Sequence, residues 1–155
     1  MKTCVLSLAA LFAAAALCAL AAAEVPPLPE KELVAQSDVI VIGTVDAVKT
    51  TVKKKATAKE RGEEEYLLTV AVKSVDKGKL KEGTKTVTAR GWYYEVPPGT
   101  VGPAGHYSTN TDDRIAGVEK GWELKLYLKA GADGVYDIVS PNGFAVQKKP
   151  EKKDK

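Results

Sequence analysis

A chain of 155 residues with a formal net charge of +3 is long enough for one domain built around a single hydrophobic core. Much of the positive charge sits in the last stretch, Lys148 to Lys155, and the rest is close to neutral, which argues against a binder of nucleic acid or of an anionic surface. Both cysteines, Cys4 and Cys18, fall within the first 23 residues, so the remainder can form no disulfide and supplies no thiol nucleophile.

Those first residues have the order of a secretory signal. Lys2 gives a positive start, Cys4 to Leu20 is an uncharged run rich in alanine and leucine, and Ala21-Ala22-Ala23 gives the small exit residues. The rival reading is a membrane anchor, because the run approaches the roughly 17-residue minimum for a span. Alanine is only weakly apolar and the exit suits a signal peptidase, so cleavage after Ala23 is expected. Leu17 before Cys18 does not fit a lipidation site. The expected organisation is a signal peptide over 1–23, one domain over 24–147, and a disordered basic tail over 148–155 with nothing aliphatic to bury. The expected location is outside the cytoplasm, periplasmic or extracellular. A domain without disulfides in that setting must rely on packing and hydrogen bonds.

Pro26-Pro27-Leu28-Pro29 predicts an extended lead-in. Glu30 to Gln36 reads as a short helix with acids in its first turn, and Leu28, Leu33 and Val34 are expected to pack on the body. Val39-Ile40-Val41-Ile42 is a continuous β-branched run, the mark of a strand covered on both faces where it begins, and Gly43 suits a bulge or barrel bend. Lys53 to Glu65, basic at one end and acidic at the other, is expected to be a solvated hairpin loop. Tyr66 to Val75 alternates, with Leu68, Val70 and Val72 on one face; Thr84 to Gly91 is a third strand. Trp122 to Lys129 has the clearest period of two, with Trp122, Leu124, Leu126 and Leu128 inward. Asp133-Gly134 signals a hairpin into Val135 to Val139, and Pro141-Asn142-Gly143 turns into Phe144 to Val146. Trp92 to Gly121 is a long segment with prolines, glycines, three tyrosines and the only histidine, and is expected to be a loop between the third and fourth strands.

Three short stretches carry a resemblance: Gln36 to Val45, Val70-x-Val72-x-x-Val75-x-Lys77-Gly78, and Gly121-x-x-Leu124-x-Leu126-Tyr127-Leu128. In that order they resemble the body of OB-fold domains of the netrin-module and metalloproteinase-inhibitor type. The chain also resembles a group of uncharacterised exported bacterial proteins that share its proline-rich start and its terminal Asp133-Gly134-x-Tyr136 and Pro141-Asn142-Gly143 pattern. The resemblance implies a mainly β fold: an antiparallel OB-like barrel of five to six strands with one short N-terminal helix. It does not carry the inhibitors' mechanism, which needs an amino-terminal cysteine on zinc. The expected mature terminus here is Glu24.

Candidate chemistry is sparse. His106 is the one histidine available for a Ser–His–Asp triad or a zinc site, and it sits in a polar stretch without a nucleophile-elbow pattern. Asn110-Thr111-Asp112-Asp113 lacks the spacing and closing glutamate of a calcium loop and reads as a turn. A glycosidase pair of carboxylates is not singled out. What remains is aromatic and cationic: Arg90, Trp92, Tyr93 and Tyr94, then His106, Tyr107 and Arg114 in the same long segment. OB-folds stack ligands on such a face; the alternative is that Trp92 and one tyrosine plug the barrel end. The expected function is an exported, non-catalytic binding module without cofactor or metal. Its partner would be an extracellular or envelope glycan, peptide or protein, with no nucleic acid and no membrane after cleavage. The alternatives are an inhibitor-like accessory domain acting on an extracellular enzyme and, more remotely, an unrecognised hydrolase.

Overall fold

The computed structural model describes residues 27–57, 60, 62–95 and 115–150. The signal segment, His106, Tyr107, Arg114, the 110–113 turn and residues 151–155 lie outside the described residues. Among the described residues no helix is long and apolar enough to cross a membrane.

Helix α1 (Glu30–Gln36) is followed by β1 (Val39–Lys54), β2 (Gly62–Lys77), β3 (Thr86–Glu95), β4 (Glu123–Ala130), β5 (Tyr136–Ile138) and β6 (Phe144–Lys148). Strands β1, β2, β3, β5 and β4 follow one another in a sheet that closes through a β1–β4 pairing, and β6 lies outside the ring on β4. The result is a closed five-stranded barrel with one helix. It is mixed where a wholly antiparallel barrel was expected: β3 and β5 run parallel, pairing Ala89 with Tyr136 and Arg90 with Asp137. The reason is parity. Alternating directions cannot be kept around a ring of five, so four antiparallel joints leave the fifth parallel.

β1 starts under two layers. Val39 and Val41 face the barrel interior opposite Leu128 and Leu126, while Ile40, opposite Tyr127, faces outward under α1. The start of the β-branched run, Val39 to Val41, is therefore buried on both sides, while Ile42 is half-buried. The interior holds Val41, Val45, Leu68, Val70, Leu124, Leu126 and Leu128 with no exposed surface, each contributing about 1.5–3 kcal/mol. The outer cluster is Leu33, Ile40, Tyr127 and Val139 with Leu28 against it. Val34 does not join it: at 36% exposed, it stands about 100° round the helix from Leu33, on the solvent side.

Polar contacts fix α1 in place. Lys77 Nζ on β2 donates to the carbonyls of Val34 at 2.5 Å and Ser37 at 2.6 Å, placing a cation at the helix C-terminus where the last carbonyls lack partners. Tyr127 Oη donates to Glu30 Oε1 at 3.0 Å, and Lys125 Nζ lies 3.3 Å from the same oxygen.

Several strand boundaries differ from expectation. The loop expected over 53–65 is shorter, because β1 continues to Lys54 and β2 begins at Gly62, with Lys53 Nζ 3.1 Å from Glu65 Oε1. β3 correspondingly continues through Glu95, so Trp92, Tyr93 and Tyr94 are strand residues and not loop. At the other end, β6 runs one residue past Gln147, with Lys148 opposite Glu123. The ammonium of Lys149 then lies 4.6 Å from the centre of the Trp122 ring.

Gly43 sits where the β1–β2 register shifts. A Cβ there would meet the Ala71 carbonyl oxygen at 2.4 Å and Val70 Cγ1 at 2.6 Å. Backbone cannot yield as a flexible side chain would, so Gly43→Ala is expected to cost about 1–3 kcal/mol. Urea unfolding checks this, as a lowered midpoint with an unchanged slope.

Candidate functional site

The β2–β3 ladder runs without a register shift from Gly62–Glu95 to Ala71–Thr86, so side chains alternate strictly between its faces. Val87 and Ala89 are buried inside the barrel. Arg90, Trp92 and Tyr94 therefore share the outer face, opposite Leu67, Glu65 and Glu63, and Tyr93 lies on the inner face. All four are half-buried. The structure thus splits the expected aromatic run: Trp92 and Tyr94 stand together beside Arg90, while Tyr93 packs against the core.

The barrel end is not plugged by Trp92. Gly91, opposite Tyr66, leaves room for Ile115 of the 3-10 turn Ile115–Gly117; a Cβ on Gly91 would lie 2.0 Å from Ile115 Cδ1. Ile115, Val118, Trp122 and Tyr66 are buried there, with Tyr93 against them. Tyr93 is the one member of the aromatic run that takes the structural role.

Charge on the outer face is paired. Arg90 Nε donates to Asp137 Oδ1 at 2.7 Å, from a neighbouring position on the parallel β5 strand. That hydrogen bond pushes the guanidinium pKa up from its ordinary value, and the nearby carboxylates of Glu65 and Asp133 act in the same direction. Lys53 in turn holds Glu65. With side chains 29% and 42% exposed, the Arg90–Asp137 pair adds little stability. Its effect is to fix the direction of the guanidinium on the outer face. Asp133 lies in the tight β4–β5 connection, where it and Gly134 both adopt left-handed backbone with φ of 62° and 73°.

Asp137, Glu65 and Lys53 join this face without having been singled out in the sequence. Asp137 is 47 positions from Arg90, and only barrel closure brings them together. The lysine and glutamate could be read from the opposite charges at the two ends of the 53–65 stretch. His106, Tyr107 and Arg114, expected on the same face, lie outside the described residues. Among the described residues, no group of three His, Cys, Asp or Glu side chains is placed to hold a metal ion. What the face offers is flat aromatic surface flanked by oriented hydrogen-bonding groups.

On the inner side, Tyr66 Oη donates to Glu64 Oε2 at 2.6 Å. Burial, and then this carboxylate, push the phenol pKa well up from 10.0. The fold thus keeps the Tyr66 proton at a pH where the unfolded chain gives up its own. The associated stability is full below about pH 10 and is lost as pH rises above it. Tyr66→Phe is expected to flatten the fall in stability above pH 10, measured by urea unfolding at a series of pH values.

Compared with known proteins, the chain matches no protein-family model, no curated protein sequence and no solved structure.

Proposed function

We propose that this chain is an exported, non-catalytic binding module, that its barrel is an OB-fold of the netrin-module and metalloproteinase-inhibitor type, and that the outer β2–β3 face takes an uncharged, hydroxyl-rich glycan of the envelope or extracellular space. The fold part of this reading is supported by the strand order β1-β2-β3-β5-β4 closed by β1–β4, which fits the five-stranded Greek-key barrel of OB-folds. In such barrels the strand 2–3 face takes oligosaccharides and oligonucleotides. Export is supported by the charged start, apolar run and small-residue exit of the first 23 residues.

One observation carries the ligand class. Trp92 and Tyr94 present two half-buried aromatic side chains at alternate positions on the outer sheet face, beside an arginine already neutralised by Asp137. Rings of that kind stack on the C–H faces of sugars, and a paired guanidinium and carboxylate offer donors and acceptors to hydroxyls. A polyanion would meet Arg90 and Lys53 with their charge already answered by Asp137 and Glu65, and would gain less from them. This ranks neutral glycans above nucleic acid and sulfated chains.

Titration of the protein with neutral and sulfated oligosaccharides, followed by calorimetry, tests this reading. Binding is expected for a neutral class. Trp92→Ala and Tyr94→Ala should each weaken it by on the order of 2 kcal/mol, tens-fold in Kd, with stability held within about 0.5–1 kcal/mol. Loss of folding in both variants, or binding indifferent to both, would sink the proposal. The exported protein should also begin at Glu24, read by amino-terminal sequencing of the secreted fraction; an intact Met1 there would refute cleavage.

A further inference from the structure

The turn that leads into β6 holds the backbone of the N-terminal lead-in. Asn142 Oδ1 accepts from Leu28 N at 2.8 Å, and Asn142 Nδ2 donates to Leu28 O at 3.0 Å. One side-chain amide thus pairs with both polar groups of a single residue, 114 positions away in sequence, as a neighbouring strand would. Leu28 packs on the outer cluster beneath α1, so the clamp holds the entrance to that helix.

The clamp residue is also chemically labile. The chain has two asparagines, and Asn142 is the one followed by glycine. Glycine has no Cβ to hinder ring closure, so its nitrogen can reach the preceding side-chain carbonyl. The Gly143 backbone nitrogen attacks Asn142 Cγ; the Cγ–Nδ2 bond breaks and ammonia leaves, taking up the Gly143 amide proton. The resulting succinimide is opened by water to aspartate or isoaspartate. No oxidant or further reactant is required.

The native turn opposes this closure twice. Both polar atoms of the Asn142 amide are engaged by Leu28, which holds its plane in place. Gly143 is itself pinned: its carbonyl accepts from Tyr127 N at 2.8 Å, and a Cβ on it would lie 2.2 Å from Val139 O. Of these restraints, only the Leu28 clamp can be released without opening the sheet.

We propose that Asn142–Gly143 is a self-modification site kept in check by the docked N-terminal lead-in, a one-way switch whose product releases Leu28 and loosens α1. The product cannot restore the clamp. A carboxylate still accepts from Leu28 N, but it has no donor for Leu28 O and sets a negative charge against that carbonyl. Isoaspartate also adds a backbone methylene to a turn fixed at Val139 and Gly143. α1 has seven residues, too few to persist without its docking contacts. Its release would uncover Ile40, Tyr127 and Val139 and leave the barrel interior intact.

The test is conversion of Asn142 in the full chain at mildly alkaline pH, followed by peptide mass spectrometry and isoaspartate detection. The native chain is expected to keep its amide over a period in which the urea-unfolded chain converts. Leu28→Pro removes the N–H that bonds Asn142 Oδ1; it should convert roughly tenfold faster than the native chain, the factor expected from about one lost hydrogen bond. Equal rates for native and unfolded chains, or a folded Leu28→Pro variant converting at the native rate, would overturn the proposal. Should Leu28→Pro lose its near-ultraviolet circular dichroism, Asn142→Asp decides the matter by hydrogen exchange. Protection over residues 28–33 should fall while that of β1 and β2 stays, and unchanged protection over 28–33 would overturn it.

Discussion

Strand β1 has to serve two partners at once, and much of the molecule follows from how it does so. Its first six residues pair with β4 on one edge, while nearly its whole length pairs with β2 on the other. Within the span it shares with β4 the strand shifts its register on β2, once beside Gly43, where the Ala71 carbonyl leaves no room for a side chain. Beyond Thr44, β1 parts from β4 and continues with β2 as a long hairpin. That hairpin carries β3 outward with it. Trp92 and Tyr94 stand on β3 beside the far half of that hairpin.

Closure also produces two apolar layers on one strand pair. The side chains of Val39 and Val41 enter the barrel, while Ile40 and Tyr127 form a floor outside it on which α1 rests. The helix gives this floor one buried side chain, Leu33, and polar contacts complete its attachment: Lys77 at its C-terminal end, Glu30 held by Tyr127 and Lys125, and Asn142 on the lead-in. Partly exposed contacts of this kind are individually weak. The barrel can therefore hold firm while its cover opens locally, the distribution of stability in which small regions move without global unfolding.

The sequence made some of this legible and hid the rest for definable reasons. Alternation in Trp122 to Leu128 identified the inward face of β4 because burial there has a period of two. It gave no sign of Tyr127, whose outer face is covered by a helix from elsewhere in the chain. The helix bounds at Glu30 and Gln36 were readable from local chemistry, but which of Leu33 and Val34 turned inward was not. Glu63, Glu64 and Glu65 looked like loop because acids are poor strand formers; cross-strand partners in Lys53, Trp92 and Tyr94 outweigh that preference. The parallel β3–β5 joint could have been inferred from a closed ring of five strands, since parity demands it. The Arg90–Asp137 contact depends on that joint and has no local signature at all.

The division of the aromatic run between two faces bears directly on where function can reside. A residue packed on the core cannot also be given up to a ligand without disturbing it, and Tyr93, against the cluster that holds Ile115 and Tyr66, is committed in this way. Trp92 and Tyr94 sit one position to either side and face the opposite direction, on the outer side of the sheet. Strict alternation along β3 thus separates a core-facing residue from two on the outer face, within three consecutive positions. Pairing of Arg90 with Asp137 adds a second separation, between charge and orientation: the guanidinium keeps its donors in place while its charge is largely answered. A face built this way favours ligands recognised by shape and hydroxyl geometry over ligands drawn in by charge, and that preference is the physical basis of the proposed glycan specificity.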